Sequence, residues 1–215
     1  IRRRLRTRFV GNKTNRRDWP GRQMVMGPRM FIQTEITPNP ATLKFLPGCA
    51  VMPEGTANFT RPDEAGHSPL ALRLFTLEGV AGVFLGSDFV TVTKTADREW
   101  ESLKPVILAG IMDHFTSGQP VIEEGAAVAT GDGDELDDDE ITAQIKELIE
   151  TRVRPAVAQD GGDIVFRGFE DGIVYLHMQG ACSGCPSSTA TLRHGIENML
   201  RYYVPEVQEV RPVDY

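Results

Sequence analysis

The chain has 215 residues, enough for two modest cores, with 40% hydrophobic residues, 25% charged residues and a formal net charge of −7, the make-up of an ordinary soluble protein. No run approaches the roughly 18 consecutive apolar residues of a membrane span, which argues against a bilayer, and three cysteines are too few for a disulfide framework and suit a reducing compartment. The charge is uneven: residues 1–29 carry ten Arg or Lys against Asp18 alone, a net +9, and the other 186 residues sum to −16, an acidic body that argues against nucleic acid as the main partner.

The basic head, 1–29, allows three readings. It is Arg-rich and acid-poor, as organellar transit peptides are, though it holds little serine. As a nucleic-acid arm it would have only Phe9 and Trp19 for aromatic interleaving. In the third reading translation starts downstream, at Met24, Met26 or Met30, and the head is no part of the protein. That third reading leads to the bacterial cytoplasm as the expected location; a transit peptide would place the protein in the mitochondrial matrix.

Folded structure is expected from Met30. Residues 31–36 alternate as a strand and Thr37-Pro-Asn-Pro40 breaks it. A second strand, 42–46, stops at Pro47-Gly48, and a loop follows over 52–68. Residues 69–77 read as a helix with Ser68 as N-cap and Pro69 in its first position. Strands at 80–85 and 89–93 flank Gly86-Ser-Asp88 with hairpin-like spacing. Over 99–115 the apolar residues Leu103, Ile107, Ile111 and Phe115 recur every fourth position, one face of a helix whose first turn takes Pro105. This is a ββαββα domain over 30–117.

Residues 118–136 read as an acidic, flexible linker. Seven of the nine residues from Asp132 to Glu140 are acids, and like charges extend a tether. The last of them, 137–140, suit the amino end of a helix. That helix carries Ile141, Ile145, Leu148, Ile149 and Val153 on one stripe, with Pro155 near its end. A turn at 159–163 leads to strands 164–169 and 173–178. A helix over 186–203 and an edge strand near 207–210 complete an αββα domain, placed at 137–215. The fold class is therefore α+β, in two small domains.

Between the last hairpin and helix lies Cys182-Ser-Gly-Cys185-Pro-Ser-Ser188. Pro186 suits the first turn of a helix, which sets Cys185 at or beside its N-cap, where the dipole favours thiolate over thiol. The pair is thus expected to be more acidic than free cysteine. Four uses stay open. It can be structural without chemistry, or a thioredoxin-like dithiol, although the surrounding order of elements is unlike that fold. It can be half of a zinc site, but no second CxxC exists, and His67, His114, His177 and His194 are poorly placed. It can hold an iron–sulfur cluster, which commonly takes four thiolates; two copies about a two-fold axis would supply them.

Asp160-Gly-Gly-Asp163, the CxxC stretch, Ile196-Glu-Asn-Met199 and Val204-Pro-Glu206 together resemble the Nfu family of iron–sulfur scaffold and carrier proteins. Met30-Phe-Ile-Gln-Thr34, Thr37-Pro-Asn-Pro40, Leu43-Lys-Phe-Leu-Pro-Gly48 and Leu103-Lys-Pro105 resemble the family's N-terminal domain. The resemblance spans nearly all of 30–212. It implies that Cys182 and Cys185 bind a [4Fe–4S] cluster shared by two subunits. A cluster-loaded homodimer would then receive cargo from upstream assembly factors and pass it to apo iron–sulfur clients, such as aconitase-type and lipoyl-synthase-type enzymes. The first domain would help with clients, and Cys49 would be incidental. This reading makes the protein a carrier and not an enzyme, with no nucleic-acid or membrane partner; a thiol–disulfide oxidoreductase using the same CxxC is the alternative.

Overall fold

The computed structural model describes residues 31–123, 139–184 and 186–213. Five strands, β1 (Gln33–Ile36), β2 (Thr42–Leu46), β3 (Ala57–Phe59), β4 (Val80–Leu85) and β5 (Val90–Lys94), form an antiparallel sheet in the order β1-β2-β5-β4-β3. Two helices, α1 (Pro69–Phe75) and α2 (Trp100–Ser117), pack on it. Period-two alternation sorts the strands: Leu43, Phe45, Val83, Leu85, Val90 and Val92 enter one core with Leu70, Leu74, Ile107 and Ile111. Their neighbours Thr42, Lys44, Phe84 and Thr91 therefore point to the other face.

Ser68 caps α1 as expected: its Oγ accepts from Ala71 N at 3.2 Å and donates to the Val121 carbonyl at 2.7 Å. The expected loop at 52–68 in fact holds β3 and a 3-10 turn (Glu64–His67). Three residues are too few for alternation to show, and β3 owes its form to pairing with the edge of β4. Pro105 sits one full turn inside α2 rather than in its first turn, so the helix forgoes one backbone hydrogen bond there.

His114 is fully buried in α2, edge-on to Phe115 at 5.4 Å, and neither ring nitrogen has a hydrogen-bond partner. Burial first, and the nearby Arg73 charge second, hold its pKa below the ordinary imidazole value. The unfolded chain thus takes up this proton at a higher pH than the folded one. Stability should fall as pH drops below about 6.5, by at most about 1.4 kcal/mol per pH unit for this group. His114→Leu is expected to match the wild type at pH 7.5 and to flatten the decline of Tm between pH 7.5 and 5.5; an unchanged slope would show that other groups set it.

The second set of elements is α3 (Glu140–Leu148), a π-helical turn (Ile149–Val153), α4 (Arg154–Gln159), β6 (Gly162–Glu170), β7 (Ile173–Gly180), α5 (Pro186–Tyr203) and β8 (Glu209–Pro212). Asp139 caps α3, accepting from Thr142 N at 2.7 Å. One helix with Pro155 near its end was expected; instead it widens to a π turn and restarts at Arg154. Pro155 has no N–H to give and its ring collides with the preceding turn, and widening relieves both. β6 and β7 form a two-residue hairpin through Asp171 and Gly172, both at positive φ (48° and 79°), the backbone demanded by a type I′ turn. β8 pairs parallel to β7. Ile145, Ile149, Val157, Ile164, Leu176, Leu200 and Val210 form the core beneath this three-stranded sheet.

Candidate functional site

The loop after β7 is built from tight backbone turns. Gly180 has φ +60° and Gly184 +79°, conformations that ordinary side chains resist. Cys182 N donates to Gln179 O and Ser183 N to Gly180 O, each at 3.2 Å, and Ser183 Oγ returns to Gly180 O at 2.9 Å. Ala181 N donates to Gly161 O at 3.2 Å, tying the loop to the turn before β6. Thr189 Oγ1, one turn into α5, donates to the Cys182 carbonyl at 3.1 Å. The thiol itself lies over bare backbone: a Cβ on Gly162 would stand 2.5 Å from Cys182 Sγ. A sulfur seated this closely needs glycine beneath it.

Cys182 is 5% exposed. Its thiol is pushed up to about 12, by burial first and then by the charges of Asp160 and Asp163. This reverses, for Cys182, the expectation of an acidified thiol: lost hydration and two nearby carboxylates dominate there. Cys185 lies outside the described residues. Cys49 is exposed. His177 is on β7 with Nδ1 3.0 Å from the Val213 carbonyl, and His194 is exposed on α5. Among the described residues no group of three or more His, Cys, Asp or Glu is arranged to hold a metal, and no helix is long and apolar enough to cross a membrane.

Sequence reasoning took Asp160 and Asp163 as turn residues. Asp163 does bond its neighbour's amide, Ile164 N to Oδ1 at 2.8 Å. It also takes both prongs of Arg154, Nε to Oδ1 and Nη2 to Oδ2, each at 2.8 Å, while 3% exposed. Arg154 reaches Glu150 as well, at 2.6 Å, and Asp163 above all holds its guanidinium pKa above the usual value. Arg154 was missed because nothing in a lone arginine near a proline signals a fork aimed nine residues ahead.

The first set of elements also reaches the loop. Asn39 Nδ2 donates to the Ser183 carbonyl at 2.8 Å, and Thr91 Oγ1 to Gly161 O at 2.7 Å. The two halves were expected to be tethered, with no contact foreseen.

Residues 32–118 match the family described as "Scaffold protein Nfu/NifU N terminal", and residues 145–211 match the "NifU-like domain". The chain is 52% identical over 185 residues to the Homo sapiens protein named "NFU1 iron-sulfur cluster scaffold homolog, mitochondrial", covering 86% of this chain and 72% of that one. It is 56% identical over 184 residues to "NifU-like protein 4, mitochondrial" of Arabidopsis thaliana, covering 84% and 65%. Among solved structures, the NifU-like protein from Saccharomyces cerevisiae aligns at 31% identity with a TM-score of 0.40, over 44% of this chain and 86% of that one. Both named relatives are mitochondrial, which overturns the expectation of the bacterial cytoplasm. Arginine enrichment in 1–29 fitted either reading and could not separate them.

Proposed function

The chain belongs to the Nfu family of iron–sulfur cluster scaffold proteins, and from that premise we propose that it carries a [4Fe–4S] cluster between two copies, held by Cys182 and Cys185 of each. The cluster is cargo, to be handed to apo iron–sulfur clients by exchange of thiolate ligands. The role is that of a carrier in the mitochondrion rather than a catalyst. The carrying observation is the incompleteness of a single copy. A cluster of this kind takes four thiolate donors; the loop supplies two cysteines, and no third ligating side chain joins Cys182 among the described residues. The donor type fits, because thiolate is the ligand iron–sulfur clusters take, and bonding to the metal removes the proton that the free thiol keeps.

The thiol–disulfide alternative asks more of the same residue. An attacking cysteine must ionise unaided, and burial and the two aspartates oppose this at Cys182. Anaerobic reconstitution with iron and sulfide, read by light scattering and iron analysis, tests the proposal. The expected product is a dimer with about four iron and four sulfide per pair of chains, able to activate an aconitase-type apo-enzyme. A strictly monomeric product retaining all its iron would overturn it, as would metal-free reduction of insulin without cluster uptake.

A further inference from the structure

A sheet with helices on one side ordinarily shows its other face to water. Here that face is covered. Thr42, Lys44, Phe84 and Thr91 are 2%, 7%, 1% and 1% exposed, yet all lie on the side of the first sheet away from α1 and α2. Thr42 is held by Thr37 and Asn39 of its own domain, and the other three meet the end of α4, the Gly161 turn and Gly180 of the second.

The contact is specific and polar. Lys44 Nζ donates to the carbonyls of Ala158 and Gln159, at 3.2 and 3.0 Å, at the carboxyl end of α4, where a cation meets the negative end of the helix dipole. The same ammonium lies 3.4 Å from Glu35 and 4.7 Å above the ring of Phe89. Thr91 Oγ1 holds Gly161 O, Thr56 Oγ1 donates to Asp163 Oδ2 at 2.8 Å, and Asn39 Nδ2 holds Ser183 O. Close approach depends on missing side chains. A Cβ on Gly161 would lie 2.8 Å from Thr91 Oγ1, and one on Gly180 would lie 2.9 Å from Phe84 Cγ. Both glycines are thus shaped to the first sheet as well as to their own turns.

We propose that this face of the first domain is an intramolecular latch, which docks on the cysteine loop of the second domain and shields Cys182 until the two domains part. The proposal rests on the carrier reading for its purpose. A cluster shared by two copies needs each Cys182 to face the other, and the loop that carries Cys182, itself 5% exposed, is held against the first sheet through Ser183, Gly180 and Gly161. Loading and latching are therefore mutually exclusive, so anything that binds the sheet face in place of the loop favours loading. The partner such a competitor must imitate is a turn whose carbonyls accept from the sheet's side chains, as those of Ala158, Gln159, Gly161 and Ser183 do.

The test uses the full chain without metal, with Cys49→Ser and Cys185→Ser so that Cys182 is the remaining thiol. Lys44→Glu sets a carboxylate against the carbonyls of Ala158 and Gln159. Phe84→Arg puts a charged side chain against Gly180. Either is expected to raise the rate of Cys182 modification by a disulfide reagent by about tenfold or more and to enlarge the radius of gyration. Each substituted position faces water once the domains part, so the first domain should stay folded; circular dichroism checks this. If one variant unfolds, the other decides. Folded variants with wild-type rate and radius would overturn the latch. These readouts need no cluster: faster modification in a protein that takes up no iron would leave the latch standing and sink the carrier reading.

Discussion

Arg154→Ala should destabilise the protein by about 3 kcal/mol or more, within the range for breaking a buried ion pair from one side. Asp163 would stay 3% exposed with its guanidinium partner gone, left with the Thr56 hydroxyl and its neighbour's amide. Neither supplies a compensating charge. The same arginine bridges Glu150 in the π turn, so its loss also frees the place where the helix is already interrupted. Urea unfolding gives the number directly. Arg154→Lys keeps the charge without the two-pronged geometry and should recover only part of the loss. Glu150→Gln, at a carboxylate 52% exposed, should cost less than about 1 kcal/mol. An Arg154→Ala protein as stable as the wild type would mean that Asp163 is hydrated or rearranged.

The second large effect is functional. Cys182→Ser is expected to reduce iron and sulfide uptake to background and to leave the chain monomeric after reconstitution, while the unfolding midpoint shifts little. Serine nearly matches cysteine in size, so the seat above Gly162 stays filled. Its hydroxyl is a hard, weakly acidic donor where a soft thiolate is required. Cys185→Ser is expected to behave alike, and Cys49→Ser to load normally. A Cys182→Ser protein that still formed an iron-loaded dimer would remove this residue from the ligand set.

Much of this was readable in the chain because the informative signals were local. Ser68-Pro69 announces a helix start, Asp171-Gly172 announces a hairpin, and the spacing of Leu103, Ile107 and Ile111 announces a buried stripe; each depends on neighbours within a turn. The cysteine loop was legible for the same reason, as two thiols and a proline between strand and helix. What escaped depends on distant partners. β3 exists through the edge of β4, and the Arg154–Asp163 pair through a reversal of the chain at Gly161 and Gly162. Lys44 and Thr91 lie on the face of their strands that alternation turns away from the helices. Their burial comes from partners 114 and 70 positions away along the chain, at Ala158 and Gly161. No pattern within either strand encodes that.

The parallel pairing of β8 with β7 has a consequence for the far end of the chain. An antiparallel partner could have followed a short turn, but a parallel one obliges the backbone to travel the whole length of α5 before returning. The thiol-bearing segment is therefore the opening bend of a crossover whose closing end is Glu209–Pro212, fastened by Val210 N to the buried carboxylate of Glu197 at 3.1 Å. Trimming the last few residues would unfasten that return strand and slacken the bend itself. The tail acts as the remote anchor of that grip.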